Sequence, residues 1–133
     1  MKYQQYVGIG VAVITPFKNG EVDYSALTRV INHILGGGAD YLVMLGSTGE
    51  TATLNAEESR NILTHTINTV EGRVPIVAGN FAGNNTLEIV KSISEFDFEG
   101  IDAILSSSPA YVKPSQEGIY LSLIHISEPT RPY

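Results

Sequence analysis

Residues 41–50 read YLVMLGSTGE, an apolar run that passes directly into two hydroxyl residues bracketed by glycines. The run Tyr41–Leu45 shows no clean alternation of polar and apolar residues, which is typical of a strand buried on both faces of a parallel sheet. In parallel α/β folds, ligands bind in the loops that follow the carboxyl ends of the strands. The loop Gly46–Glu50 therefore predicts a functional site at that edge of a sheet.

The same kind of apolar run occurs three more times along the chain. Ile9–Ile14, Pro75–Ala78 and Asp102–Leu105 are short, apolar and without clean alternation. The four runs begin at residues 9, 41, 75 and 102, and a spacing of roughly 30 residues matches one strand-helix-strand unit. We expect about four βα units.

Helical patterns fill the intervals between these runs. The apolar residues of Leu27–Leu35 recur at helical spacing after Asp23, a residue type favoured at helix N-caps. Asn55 with Glu58 three residues later resembles a capping box at the start of a second helix. A third helix is predicted to begin near Asn85.

Two architectures accommodate four βα units. One is a small doubly wound sheet, which would make the chain a non-catalytic α/β binding module. The other is the N-terminal half of a (β/α)₈ barrel, since a whole barrel needs about 250 residues. The order of strands in the sheet distinguishes them: sequential pairing favours the half-barrel.

Composition excludes several classes of function. The 133 residues carry 8 Lys and Arg against 14 Asp and Glu, a net charge of −6, so we expect no nucleic-acid partner. There is no cysteine, and no histidine spacing indicates a metal, so neither a metal nor a cofactor is predicted. The apolar runs fall short of the ~20 residues that span a bilayer, which predicts a soluble cytoplasmic chain without a membrane partner.

Polar residues follow the other predicted strands as well. Thr15-Pro16-Phe17 follows the first, Gly79-Asn80 the third and Ser106–Tyr111 the fourth. Hydroxyls, amides and glycines predominate, and Glu50 is one of few charged residues among them. Such an edge suits a small carboxylate held by hydroxyl and backbone N–H groups.

These loops resemble one known family. Residues 15–17, the stretch Gly46–Glu50, Ser108–Tyr111 and Lys113–Gly118 are similar, in this order, to the dihydrodipicolinate synthase family. The resemblance covers about residues 6–120. It implies an α/β fold that is the N-terminal half of a TIM barrel, within the class I aldolase group. A related pyruvate-dependent aldolase, such as N-acetylneuraminate lyase, is the alternative within that group.

The resemblance also implies a chemistry for the site. Family members are lyases that join pyruvate, held as a lysine Schiff base, to aspartate semialdehyde in lysine and diaminopimelate biosynthesis. Ser47 and Tyr111 would be catalytic residues of a proton relay, and Thr48 would bind the pyruvate carboxylate. Tyr111 would reach the site of a neighbouring subunit in a homotetramer built as a dimer of dimers.

The Schiff-base lysine of the family lies after the region of similarity. The lysines of this chain are Lys2, Lys18, Lys91 and Lys113, and none ends a predicted buried strand, where desolvation lowers a lysine pKa for imine formation. The chain is therefore expected to be an inactive fragment of an active enzyme.

The last residues depart from the family pattern. We interpret residues 1–120 as a partial TIM-barrel aldolase domain and residues 121–133, LSLIHISEPTRPY, as an artefactual, non-native tail. Pro129 and Pro132 lead us to expect no long helix there.

Four strands do not close a barrel, so the first and fourth are expected to be unpaired edges. We assign Val11, Val13, Val43, Leu45 and Ile104 to the inner, uncovered face of the sheet.

Overall fold

A computed structural model describes residues 4–127. The strands are β1 (Gly10–Ala12), β2 (Phe17–Lys18), β3 (Glu21–Val22), β4 (Tyr41–Met44), β5 (Ile76–Ala78) and β6 (Ala103–Ile104). The α-helices are α1 (Tyr24–Gly36), α2 (Ala56–Val70), α3 (Thr86–Glu95) and α4 (Gln116–Ser127), and short 3₁₀ helices occupy Gln4–Tyr6, Ser47–Gly49 and Thr51–Thr53.

The main sheet has four parallel strands in the order β1-β4-β5-β6. Each predicted apolar run contributes one of them, although each strand is shorter than predicted. The strands pair in the sequence order in which they occur, which is the arrangement of a barrel rather than of a doubly wound sheet. The half-barrel prediction is confirmed, and the small doubly wound module is ruled out.

One structural element, a short β-hairpin, was not predicted from the sequence. β2 and β3 form an antiparallel hairpin in which Phe17 pairs with Val22. Its turn residues Asn19 and Gly20 have φ values of 54° and 85°, the left-handed backbone that an Asn-Gly hairpin turn requires. The dipeptide was a readable hairpin signal.

The predicted helix starts are confirmed by their caps. The Asp23 carboxylate accepts a hydrogen bond from the backbone N–H of Ala26 at 2.9 Å. Asn55 and Glu58 form both bonds of the capping box, each 2.8 Å long. Asn85 accepts from the first backbone N–H groups of α3. These bonds satisfy donors that the first helical turns leave open.

The helix α4 corrects one expectation about the tail. It continues through residues 121–127, where Ser122 and Ile126 are buried. Both prolines come after Ser127 in the sequence, so neither interrupts the described helix. Residues 128–133, which include both prolines, lie outside the described residues. The interpretation of the tail as artefactual stays a prediction.

The chain divides into two compact units. The first consists of residues up to Asn80 together with Glu99–Leu105, and it contains the parallel sheet, α1 and α2. The second consists of Phe81–Phe98 and the residues from Ser106 onward, and it contains α3 and α4. In the second unit, Phe81 meets Phe96 edge-on with ring centroids 5.2 Å apart. Thr86 and Ser122 join α3 to α4 through a 2.7 Å hydroxyl hydrogen bond.

The register of the sheet separates two faces in the first unit. Leu42 pairs with Ile76, and Met44 with Ala78, so these four side chains share one face. All four are buried, as are the apolar residues of the helices: Leu27, Ile31, Ile62, Leu63 and Val70. This face is therefore the one that α1 and α2 cover. Val43 pairs with Val77 on the opposite, inner face.

The inner-face assignment was right for Val43 and wrong for Val11, Val13 and Ile104. Val11 pairs with Leu42, and Ile104 with Ala78, which places both on the helix-covered face. Val13, two residues after Val11, is 1% exposed and belongs to the same face. Leu45 is also 1% exposed, but it follows β4 without a register partner, so its face stays a prediction. The sequence of a strand without alternating polarity does not indicate which of its faces the helices cover. The pairing register is needed to assign each residue to a face.

Among residues 4–127, no helix combines the length and apolarity that a bilayer crossing requires.

The core of the first unit is expected to be sensitive to truncation. We predict that Ile62→Ala lowers the free energy of unfolding by about 2–5 kcal/mol, because it leaves a cavity at a fully buried position. The matched control is Leu87→Ala, since Leu87 is 78% exposed and loses the same number of carbon atoms. Its effect should stay within about 0.5 kcal/mol in urea unfolding. Equal effects of the two substitutions would contradict the assigned core.

Candidate active-site edge

The loop after β4 is shaped by two left-handed residues. Leu45, with φ 58°, turns the chain at the end of the strand, and Glu50, with φ 56°, turns it again after the first 3₁₀ helix. Such conformations are costly for residues other than glycine and are held in place by the surrounding structure. Here they fold Gly46–Gly49 into one tight turn at the sheet edge.

The end of β1 holds this loop from one side. The Thr15 hydroxyl donates a 2.7 Å hydrogen bond to the carbonyl of Gly49, and both residues are buried. A Cβ atom at Gly49 would lie 3.1 Å from the carbonyl oxygen of Val13. Glycine fits here without displacing its neighbours, because the loop backbone runs tightly against the backbone that follows the first strand.

The end of β5 approaches the loop from the other side. The Gly79 N–H donates a 2.8 Å hydrogen bond to the carbonyl of Met44. A Cβ atom at Gly79 would come within 3.0 Å of the Gly46 nitrogen. Asn80 follows directly, and its buried side-chain oxygen has no hydrogen-bond partner. Three strand ends thus meet around Gly46.

The structure places Ser47 and Thr48 side by side on this edge, as predicted. Both side chains are exposed, within the 3₁₀ turn that Gly46 and Glu50 flank. No described side chain engages either hydroxyl, so both can hydrogen-bond a ligand. Glu50 is also exposed.

Tyr111 belongs to the second unit, whereas Ser47 and Thr48 belong to the first. Its side chain is 96% exposed and its φ is 69°, a left-handed backbone that is rare for an aromatic residue. The preceding residue is tied down, because the Ala110 N–H donates a 2.9 Å hydrogen bond to the side-chain oxygen of Asn84. Tyr111 is thus a large aromatic side chain exposed on a loop with a strained backbone.

Sequence reasoning missed the parts that fix the loop. Thr15, Gly79 and Leu45 were not assigned roles at the site. For Thr15 and Gly79 the available signal was their position immediately after a predicted strand. Leu45 had no such sequence signal, because an apolar run gives no indication of a positive φ.

One pKa shift among the described residues concerns Tyr24, the first residue of α1. Burial raises the pKa of Tyr24 on α1, and the Glu58 carboxylate adds to the effect. Tyr24 packs on His65, whose ring nitrogen lies 2.8 Å from the Thr28 hydroxyl. These contacts link α1 to α2. Within the described part of the chain, no group of three or more acidic or histidine side chains could hold a metal ion.

Comparison with known proteins identifies the family. The sequence model of the Dihydrodipicolinate synthetase family matches residues 5–131. The chain belongs to this family. The half-barrel described above is consistent with this membership.

Individual relatives show how much of a family member the chain represents. It is 54% identical over 114 residues to the 4-hydroxy-tetrahydrodipicolinate synthase of Parabacteroides distasonis, an alignment that covers 85% of this chain and 38% of the relative. A monomeric dihydrodipicolinate synthase variant superposes with a TM-score of 0.88 at 35% identity, over 95% of this chain and 42% of that one. The chain thus spans about four-tenths of the length of the relatives it matches.

A third relative carries a ligand. A prophage protein of the same family from Escherichia coli K12, solved in complex with pyruvate, superposes with a TM-score of 0.81 at 30% identity. The match covers 92% of this chain and 41% of that protein.

The Thr15–Gly49 hydrogen bond is expected to hold the loop in place. Thr15→Val keeps the side-chain shape but leaves a buried carbonyl without its donor, which should cost about 1–3 kcal/mol of unfolding free energy. The amides of Gly49 and Glu50, which donate to Gly46 and Ser47, should then exchange faster with deuterium. Thr15→Ser retains the donor and should leave loop exchange near the wild-type rate. Unchanged exchange in Thr15→Val would show that the hydroxyl does not fix the loop.

Proposed function

We propose that the full-length protein is a 4-hydroxy-tetrahydrodipicolinate synthase that condenses pyruvate with aspartate semialdehyde through a lysine Schiff base. The observation that carries this proposal is the paired hydroxyl turn Ser47-Thr48, set between the ends of three parallel strands in a chain of this family. The pyruvate complex of the prophage relative supports the choice of the keto acid. We also propose a cytoplasmic location.

Ser47 and Thr48 take different roles in this proposal. Thr48 and backbone N–H groups of the 3₁₀ turn bind the pyruvate carboxylate, because hydroxyls and open amides suit a small anion. The Ser47 hydroxyl passes a proton during imine formation and the later carbon–carbon bond formation. An exposed hydroxyl with no competing protein partner is free to act as both donor and acceptor.

Tyr111 completes the relay from a neighbouring subunit of a dimer of dimers. Support comes from its near-complete exposure and its strained backbone, which present the phenol away from the rest of its own unit. The exposed Val112 beside it adds apolar surface of the kind that subunit contacts bury.

The 133-residue chain itself is proposed to be inactive. Among the described lysines, Lys18 lies on β2 and Lys91 on α3, where it is 3.9 Å from Glu95, and both are exposed. Lys113 is exposed in a loop. None has the desolvated surroundings that give a neutral, nucleophilic amine near pH 7.

Imine trapping tests this proposal directly. With pyruvate and borohydride, the full-length protein should gain the mass of one reduced pyruvate adduct on a lysine outside the present sequence. The 133-residue chain should gain none under the same conditions, and samples without pyruvate serve as controls. An adduct on Lys18, Lys91 or Lys113 would contradict the inactive-fragment proposal.

Substrate competition extends the same experiment. If the full-length protein forms the adduct but turns over N-acetylneuraminate instead of aspartate semialdehyde, the family chemistry holds and the assigned substrate is wrong. Absence of any adduct on the full-length protein would overturn the Schiff-base mechanism.

Subunit complementation tests the placement of Tyr111. In the full-length enzyme, Ser47→Ala and Tyr111→Phe should each lower kcat by about 10²–10⁴-fold, since each removes one member of the proton relay. Mixed dimers of the two variants would contain one intact site if Tyr111 acts across the interface. Random mixing should restore about a quarter of wild-type activity, because half the dimers are mixed and one of their two sites is intact. No recovery would place Tyr111 in its own subunit's site.

A further inference from the structure

The turn of the β2–β3 hairpin consists of an asparagine followed by a glycine. Asn19 and Gly20 are both exposed, and no other atom lies within 4 Å of the position that a Cβ atom on Gly20 would occupy. In the described part of the chain, the side-chain amide of Asn19 has no hydrogen-bond partner. The side-chain carbonyl carbon of Asn19 and the backbone nitrogen of Gly20 are therefore close in the chain, uncrowded and accessible to water.

The hairpin that carries this turn is short and weakly held. It consists of two residue pairs, Phe17 with Val22 and Lys18 with Glu21. Three of these four residues are exposed, and Val22 is half-buried. A two-stranded hairpin of this length has little stability of its own, and such segments open locally at a small cost in free energy. Local opening lets the Asn19 side chain rotate toward the Gly20 nitrogen while the core stays folded.

The other asparagines are held in ways that oppose the same rearrangement. Asn68 is exposed, but the N–H of the next residue, Thr69, lies within α2, where helical hydrogen bonding fixes the backbone. The side-chain oxygen of Asn80 is buried. The side chains of the remaining asparagines each hydrogen-bond another described residue: Asn32, Asn55, Asn61, Asn84 and Asn85.

We propose that Asn19 is a site of spontaneous deamidation, with water as the co-reactant and a cyclic imide with Gly20 as the intermediate. The Gly20 nitrogen bonds to the side-chain carbonyl carbon of Asn19, and the bond from that carbon to Nδ2 breaks. The proton of the Gly20 N–H passes through solvent to the leaving nitrogen, which departs as ammonia. Water then opens the ring at either carbonyl and leaves aspartate or isoaspartate at residue 19. No atom is oxidised or reduced in these steps.

The isoaspartate product changes the hairpin itself. Its main chain runs through the side-chain carbon, which adds one CH₂ group to a turn that two residues at positive φ make. The pairing of Lys18 with Glu21 is then lost. The base of the hairpin is closed separately, because the Asp23 N–H donates a 2.8 Å hydrogen bond to the Pro16 carbonyl. The change therefore stays within residues 17–22.

This proposal is independent of the proposed catalytic function. Deamidation at Asn19 needs no lysine, pyruvate or neighbouring subunit, and the two proposals are measured by different products. An enzyme without the assigned activity would still form isoaspartate, and a fully active enzyme with an intact Asn19 amide would contradict this proposal alone.

Peptide mapping of the aged full-length protein tests the site. The protein is held in warm, mildly alkaline buffer and digested with trypsin, and a sample without ageing controls for deamidation during digestion. The tryptic peptide of residues 19–29 contains Asn19 and no other asparagine, whereas the peptide of residues 61–73 contains Asn61 and Asn68. The first peptide should convert with time into two isomers in which NH₂ is replaced by OH, one with aspartate and one with isoaspartate. The second should keep its mass.

Three results of the mapping would overturn the proposal. They are an unchanged peptide 19–29, equal conversion of both peptides, and a product that contains aspartate without isoaspartate, since that product excludes the cyclic route.

Hydrogen exchange with a matched variant tests the effect on the hairpin. Amides of residues 17–22 should exchange at least about tenfold faster than those of Tyr41–Met44, because the hairpin opens locally. Ageing should produce a fraction of the wild-type protein with still faster exchange in this segment. Asn19→Gly keeps a residue that tolerates positive φ but has no amide to lose, so its exchange should not change with age. Hairpin exchange as slow as that of β4, or the same ageing effect in Asn19→Gly, would contradict the proposal.

Discussion

The parallel register around β4 is the constraint on which the rest of the structure depends. β4 is hydrogen-bonded to β1 on one side and to β5 on the other, so the ends of all three strands reach the same edge. After β4, Gly79 packs closely against Gly46 and Thr15 binds Gly49, and glycine at residues 49 and 79 allows this close backbone approach without displacing its neighbours. The hydroxyl turn is therefore positioned by main-chain pairing rather than by contacts of its own side chains.

The same register explains why the two faces of the sheet differ so strongly. The face that carries Leu42 and Met44 is sealed by two capped, amphipathic helices, and its residues are almost completely buried. On the inner face, within the described part of the first unit, Val43 and Ala103 are half-buried and Ala12 is exposed, although these residues are equally apolar. In a complete barrel both faces are interior, which is why the strand sequences show no alternation. The two faces of the sheet thus have similarly apolar residues but differ in how deeply those residues are buried.

The proposed function draws on residues from both units of this chain and on a residue of a longer protein. Ser47 and Thr48 belong to the sheet unit, whereas Tyr111 belongs to the unit of α3 and α4. The proposed relay therefore relies on assembly for its geometry, and the proposed Schiff base relies on a lysine from elsewhere in a longer protein. Family membership rests on residues 5–131 and is unaffected by this division.

By itself, the sequence determined the four βα units, the three helix caps, the hydroxyl turn at Ser47 and Thr48, and the family, because each is encoded by local periodicity, capping chemistry or a contiguous motif. The tertiary structure alone decided the strand order, the face on which Val11 and Val43 lie, the positive φ of Leu45, and the continuation of α4 through residue 127. Those features depend on pairing and packing between residues far apart in the chain. The sequence of an apolar run does not specify which strand or helix it will pack against.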